Sequence, residues 1–119
     1  MVAGANRDAV EVERGAEVHA VDLAPVAAPV AKTYTCDLGD EDAIADVVAA
    51  LPPNVDALFN CAGVPKGGRF TPEQVMRINW LGLRELTEAL LPRLTGGSVV
   101  HVASTAGRGW PARAEVMTE

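Results

Sequence analysis

VDALFNCAG, Val55 to Gly63, is an apolar run that stops abruptly in small residues. Val55 to Phe59 has the length and composition of a buried strand. Asn60-Cys61-Ala62-Gly63 then either makes a tight strand exit or lets the backbone approach something flat or crowded, which glycine tolerates.

Two further strands precede it. Ala16 to Val21 (AEVHAV) follows Gly15, which stands where a C-terminal cap belongs after a helix-like stretch, Asp8 to Arg14. Thr33 to Cys36 (TYTC) is β-branched and aromatic and ends at Asp37. Asp40 then suits an N-cap, with Glu41 and Asp42 favourable to the positive end of a helix dipole. Ile44, Val47, Val48 and Leu51 form one apolar stripe, and Pro52-Pro53 ends that helix.

Downstream, Thr71-Pro72-Glu73-Gln74 combines an N-cap, a proline at the first helical position and a capping-box partner. The spacing predicts a long helix over Thr71 to Leu94. Its apolar residues, among them Met76, Trp80, Leu86 and Leu91, spread over more than one stripe, so two faces ask for cover. Ser98 to Ala103 (SVVHVA) is a continuous apolar run of parallel-strand type.

Strands alternating with helices argue for an α/β doubly wound parallel sheet, of which this chain supplies about half. Ligands of such sheets lie outside the carboxyl ends of the strands, so Asp22, Asp37, Asn60 to Gly63 and Ser104 carry the functional interest. Asp22 is either a turn residue or a carboxylate for the two hydroxyls of an adenosine ribose, where its charge would repel a 2′-phosphate. Asp37 is either a turn residue or a partner for an adenine amino group, with Leu38 against the ring. Asn79 stands in the middle of an apolar helix, which marks a kink or a buried polar network.

In this order and spacing these fragments resemble the short-chain dehydrogenase/reductase family, from about Arg14 to the last residue. Within it the run VMRINWLGLRELTEALLPRL is similar to the 3-alpha-hydroxysteroid dehydrogenase/carbonyl reductase type. Cys61 departs from the family's Asn-Asn-Ala-Gly, a variation found in that subgroup, and the tail AGRGWPARAEVMTE looks like the start of its insertion. The resemblance implies a Rossmann-like sheet, residues 1–119 forming a partial NAD(P)-binding domain, and NAD as cofactor. It places Asp22, Leu23, Asp37, Leu38, Asn60, Cys61, Ala62 and Gly63 at the cofactor. Ser104 would bond a substrate carbonyl and Asn79 support a proton relay. A small-molecule alcohol or carbonyl compound would be the substrate, and the helix from Thr71 to Leu94 a place for subunit pairing.

Two family features are missing. The only tyrosine, Tyr34, is followed at the fourth place by Leu38, so no Tyr-x-x-x-Lys pair occurs. At the amino end Val2-Ala3-Gly4-Ala5-Asn6 resembles only the end of the first strand and the first glycine of the phosphate loop. A first strand cut to a stub predicts unpaired backbone on both neighbours. The chain is therefore expected to bind NADH weakly or not at all and to lack dehydrogenase activity by itself. A catalytically inactive truncated form, or an interaction module, is the rival reading.

Other classes fit less well. Ser104 lacks a Gly-x-Ser-x-Gly elbow, which counts against a serine hydrolase. A methyltransferase would share Asp22 and Asp37 but has no use for Asn60 to Gly63 with Ser104. The net charge of −6 offers no basic stripe for nucleic acid. Cys36 and Cys61 lack metal-ligand spacing and read as small buried residues of a reduced, cytoplasmic protein; no apolar run is long enough to span a bilayer.

Overall fold

A computed structural model describes residues 2–3 and 15–108. Five parallel strands form one sheet: β1 (Val2–Ala3), β2 (His19–Asp22), β3 (Lys32–Thr35), β4 (Ala57–Asn60) and β5 (Ser98–His101), in the order β3-β2-β1-β4-β5. The order reverses at β1, which makes this a Rossmann-like, doubly wound sheet, incomplete beside a full domain of that class. Helix α1 (Glu41–Ala50) joins β3 to β4, and a long helical rod joins β4 to β5.

Each helix starts where local chemistry dictates. Asp40 accepts from the Asp42 and Ala43 amides at the head of α1. Thr71 and Gln74 exchange side-chain and backbone bonds in a capping box at the head of α2 (Pro72–Met76). The rod is not uniform: α2 passes into a π-helical stretch, Arg77–Gly82, then α3 (Leu83–Leu90) and a 3-10 turn, Leu91–Arg93. A π stretch carries an extra residue per turn and often marks a functional position; here it contains Asn79.

The core forms where α1 and α3 meet one face of the sheet. Ile44, Val47 and Leu51 from α1 and its exit pack with Leu86 and Leu90 of α3 against Val21 and Leu58. Gly82 sets the distance of the rod from the sheet: a Cβ there would overlap the Leu38 carbonyl oxygen. Arg77 ties the same elements together through Gly39 O at 3.3 Å, Glu41 at 3.2 Å and Glu85 at 3.1 Å. Arg93 Nη1 donates to the carbonyls of Leu51 and Pro52, just beyond the end of α1.

Several sequence expectations need correction. The strand expected over Ala16 to Val21 is His19–Asp22, and that over Thr33 to Cys36 is Lys32–Thr35; their shared register, His19 with Lys32 through Asp22 with Thr35, fixes both. Val55 is not in β4, because its amide bonds Arg93 O instead. The run Ser98 to Ala103 does form a parallel strand, but only over Ser98–His101; among the described residues β5 pairs with β4 alone, and Val100 and Val102 are exposed. Of the rod's two apolar faces, Leu86 and Leu90 are covered while Met76, Trp80, Leu81 and Leu91 are exposed. The stub β1 does pair on both sides, Val2 with Ala20 and Phe59, Ala3 with Asn60. Gly15 adopts the positive φ, 84°, of a cap glycine, but Asp8 to Arg14, Gly4 to Asn6 and the tail from Gly109 lie outside the described residues.

The closeness of Gly82 to the Leu38 backbone makes it the least replaceable glycine among the described residues. Gly82→Ala is expected to destabilise the fold by about 3 kcal/mol, the upper range for overpacking, read from the urea midpoint against the unsubstituted chain.

Candidate functional site

The carboxyl ends of β2, β3 and β4 open into one cleft of about 190 Å³. Asp22 and Leu23 line it from β2, Asp37 and Leu38 from the exit of β3, and Cys61, Ala62 and Gly63 from the exit of β4. Ile78, on the π stretch, closes it from the side. Seven residues singled out from sequence thus share one cavity.

The two carboxylates each commit one oxygen to their own turn. Asp22 Oδ1 accepts from the Ala24 amide at 3.0 Å and Asp37 Oδ1 from the Gly39 amide at 2.8 Å. Such Asx turns fix where the carboxylate stands. The second oxygen of each takes no part in these turns, so turn and ligand roles are compatible in one residue.

Asn79 resolves the alternatives its position raised. Its Oδ1 accepts from the Val64 amide at 2.7 Å and its Nδ2 donates to the Val64 carbonyl at 2.8 Å. Both backbone groups of one loop residue are held by one side-chain amide, so the exit of β4 is fixed to the rod. Of the two expectations the polar network is the one observed, made by a half-buried side chain within the π stretch.

Asn60 does not line the cleft with its neighbours. It is 2% exposed and faces a second groove, of about 510 Å³, between β5 and the rod. Its Nδ2 donates to Thr87 Oγ1 at 2.9 Å and lies 3.2 Å from His101 Nδ1. Thr87 in turn donates to the Leu83 carbonyl at 2.6 Å, which leaves its lone pairs to accept. Asn60 Oδ1 is buried with no hydrogen-bond partner among the described residues. Thr87 and His101 were not foreseen as partners; the register Asn60 with His101 brings the second one in. Ser104 is exposed, three residues beyond β5, and Ala103 before it borders the groove that Asn79 also lines.

The cysteines differ. Cys36 is buried, and desolvation, then the charges of Asp37 and Asp40, push its thiol up to about 11. Cys61 is only half-buried, contrary to the expectation of two buried thiols. Among the described residues no cluster of metal-ligating side chains occurs, and no helix is long and apolar enough to cross a membrane.

A family model described as short chain dehydrogenase matches residues 3–115. A curated relative, the coniferyl-alcohol dehydrogenase of Pseudomonas sp. (strain HR199 / DSM 7063), is 38% identical over 117 residues, covering 98% of this chain and 45% of its own length. Among solved structures, a short chain dehydrogenase family protein from Francisella tularensis subsp. tularensis SCHU S4 superposes with a TM-score of 0.74 at 22% identity, over 91% of this chain and 51% of that one. The 3-alpha-hydroxysteroid dehydrogenase from Pseudomonas sp. B-0831, complexed with NADH, gives a TM-score of 0.74 at 24% identity, over 96% and 48%. The chain spans about half the length of these relatives.

The raised Cys36 value predicts slow alkylation. At pH 8 about one thiol in a thousand is ionised, so iodoacetamide should spare Cys36, with the rate rising about tenfold per pH unit until the thiol titrates. Because the folded chain holds this proton more tightly than the unfolded one, stability should fall as pH rises from about 9 toward 11. Peptide mapping after timed alkylation, and urea midpoints at pH 8 and pH 10, check the two statements.

Proposed function

We propose that this chain, which belongs to the short-chain dehydrogenase family, forms the dinucleotide-binding part of a cytoplasmic, NAD-dependent oxidoreductase interconverting alcohols and ketones. Residues 1–119 are read as part of an NAD(P)-binding domain, and the chemistry belongs to the whole protein, since the chain covers 45% of its coniferyl-alcohol relative. The observation that carries the reading is the gathering of Asp22, Asp37, Leu38 and Ala62-Gly63 in one cleft at the carboxyl ends of β2, β3 and β4.

The cleft suits an adenosine. Asp22 keeps one oxygen outside its turn for ribose hydroxyls, and its charge disfavours a 2′-phosphate, hence NAD over NADP. Asp37 faces the adenine amino group, with Leu38 and Leu23 as apolar walls. Cys61, Ala62 and Gly63 present little bulk, and Asn60 and Asn79 hold this exit from the other side. NAD, when bound, supplies or accepts the hydride. Ser104 hydrogen-bonds the substrate oxygen, and Asn79 supports the proton relay. The substrate is a small-molecule alcohol or carbonyl compound. We place the chain with the 3-alpha-hydroxysteroid dehydrogenase/carbonyl reductase type, which keeps hydroxysteroids among the candidates. The exposed Met76, Trp80, Leu81 and Leu91 suit the rod for pairing with a second subunit.

A second reading, that this chain by itself has no dehydrogenase activity and acts as a binding module, rests on a specific observation. Tyr34 is the sole tyrosine, and β3 lies at the opposite edge of the sheet from β5 and Ser104. Four strand spacings, about 19 Å, separate those edges, so Tyr34 cannot pass a proton to an oxygen held by Ser104.

Titration of the ¹⁵N-labelled chain with NADH tests both readings. Shifts are expected at Asp22, Leu38 and Ala62-Gly63 in the millimolar range, at least ~10-fold weaker with NADPH because of the 2′-phosphate, and Asp22→Ala should erase the preference. Equal response to NADH and NADPH, or shifts confined to other residues, would refute the cofactor assignment. Turnover of alcohols by the chain alone would refute the second reading.

A further inference from the structure

At the outer edge of the sheet, away from the cleft, three titratable side chains are joined in series. Glu17 Oε1 lies 2.8 Å from His19 Nε2, and His19 Nδ1 lies 3.0 Å from the Tyr34 hydroxyl. A carboxylate only accepts, so neutral His19 carries its proton on Nε2 and leaves Nδ1 to accept the phenol O–H. The β2–β3 register produces this arrangement: His19 pairs with Lys32 and Val21 with Tyr34, so His19 and Tyr34 are diagonal neighbours on one face. Their rings stack at 5.9 Å and 27°. Lys32 Nζ stands 4.8 Å from the Tyr34 ring centroid.

The order carboxylate, imidazole, hydroxyl is the arrangement by which a base relieves a weak nucleophile of its proton while a third group orients the base. His19 is well held, its side chain only 14% exposed, whereas Glu17 is 77% exposed and open to solvent. Tyr34 is half-buried on an edge strand. The proposed oxidoreductase has no use for this tyrosine.

We infer that Glu17, His19 and Tyr34 form a nucleophilic site distinct from the dinucleotide cleft, at which Tyr34 takes an acyl group from activated aryl esters. The Tyr34 oxygen attacks the acyl carbon as its proton passes to His19 Nδ1. The bond from the acyl carbon to the aryloxide breaks, and the imidazolium returns the proton to the departing aryloxide. The phenol ester of Tyr34 and a free phenol are the products, with no oxidant or reductant consumed. Glu17 stabilises the imidazolium, and Lys32 favours negative charge developing on the ring.

Treatment of the whole chain with p-nitrophenyl acetate tests this, with nitrophenolate release followed by absorbance and the acetyl group located by peptide mass spectrometry. Tyr34 is the only tyrosine, so a tyrosine acetyl has one address. Acetylation of Tyr34 is expected at least ~100-fold faster than that of N-acetyltyrosinamide, the low end for a positioned base. His19→Ala should remove the excess rate. Glu17→Gln, a change at an exposed side chain checked for folding by circular dichroism, should lower it several-fold. Acetyl found only on lysine or cysteine, Tyr34 labelled at the free-amide rate, or a Tyr34 rate unaffected by Glu17→Gln would overturn the proposal. None of these outcomes bears on NADH binding.

Discussion

The backbone pairing of two residues, Val2 and Ala3, carries the middle of this sheet. Val2 is in register with Ala20 on one side and Phe59 on the other, and Ala3 with Asn60. The β3-β2 pair and the β4-β5 pair each keep register over four residues, yet they meet only across β1 within the sheet. Asp22 and Asp37 stand on one side of that seam, Cys61 to Gly63 on the other. The cleft exists because β1 holds the halves in register, at a cost of few hydrogen bonds, each worth about 1 kcal/mol net.

The helical rod adds what the short strand lacks. It touches the exit of β3 through the bare backbone of Gly82 against Leu38, and the exit of β4 through the amide of Asn79 on Val64. Arg77, at the head of the same stretch, reaches the start of α1. One rigid element thereby positions two loops from opposite sides of the seam. The π stretch is where all three contacts originate, which gives the irregularity a physical purpose: it turns a glycine, an asparagine and an arginine toward different neighbours within six residues.

The sequence made the architecture legible because caps and periodicity are local. Asp40, Thr71 and Gln74 announce their helices, and the stripe Ile44, Val47 and Leu51 announces its buried face. Strand limits were off by one to three residues, because pairing register is a property of two strands and neither one alone encodes it. The exposure of Val100 and Val102 is illegible for the same reason: apolar composition shows what a strand can tolerate, while its exposure depends on whether a neighbour lies beside it. The site's aspartates and small residues were readable from their places after strands. The partnership of Asn60 with Thr87 and His101 was not, since residues 27 and 41 positions apart become neighbours only once the rod and β5 are in place.

The two edges of the sheet differ in character. β3 presents Lys32, two threonines and a tyrosine tied into side-chain bonds, and a charged, polar rim of that kind resists pairing with another chain. β5 presents Ser98-Val99-Val100-His101 with no lysine, proline or bulge, and among the described residues it pairs with β4 alone. Its backbone is a template for strand addition.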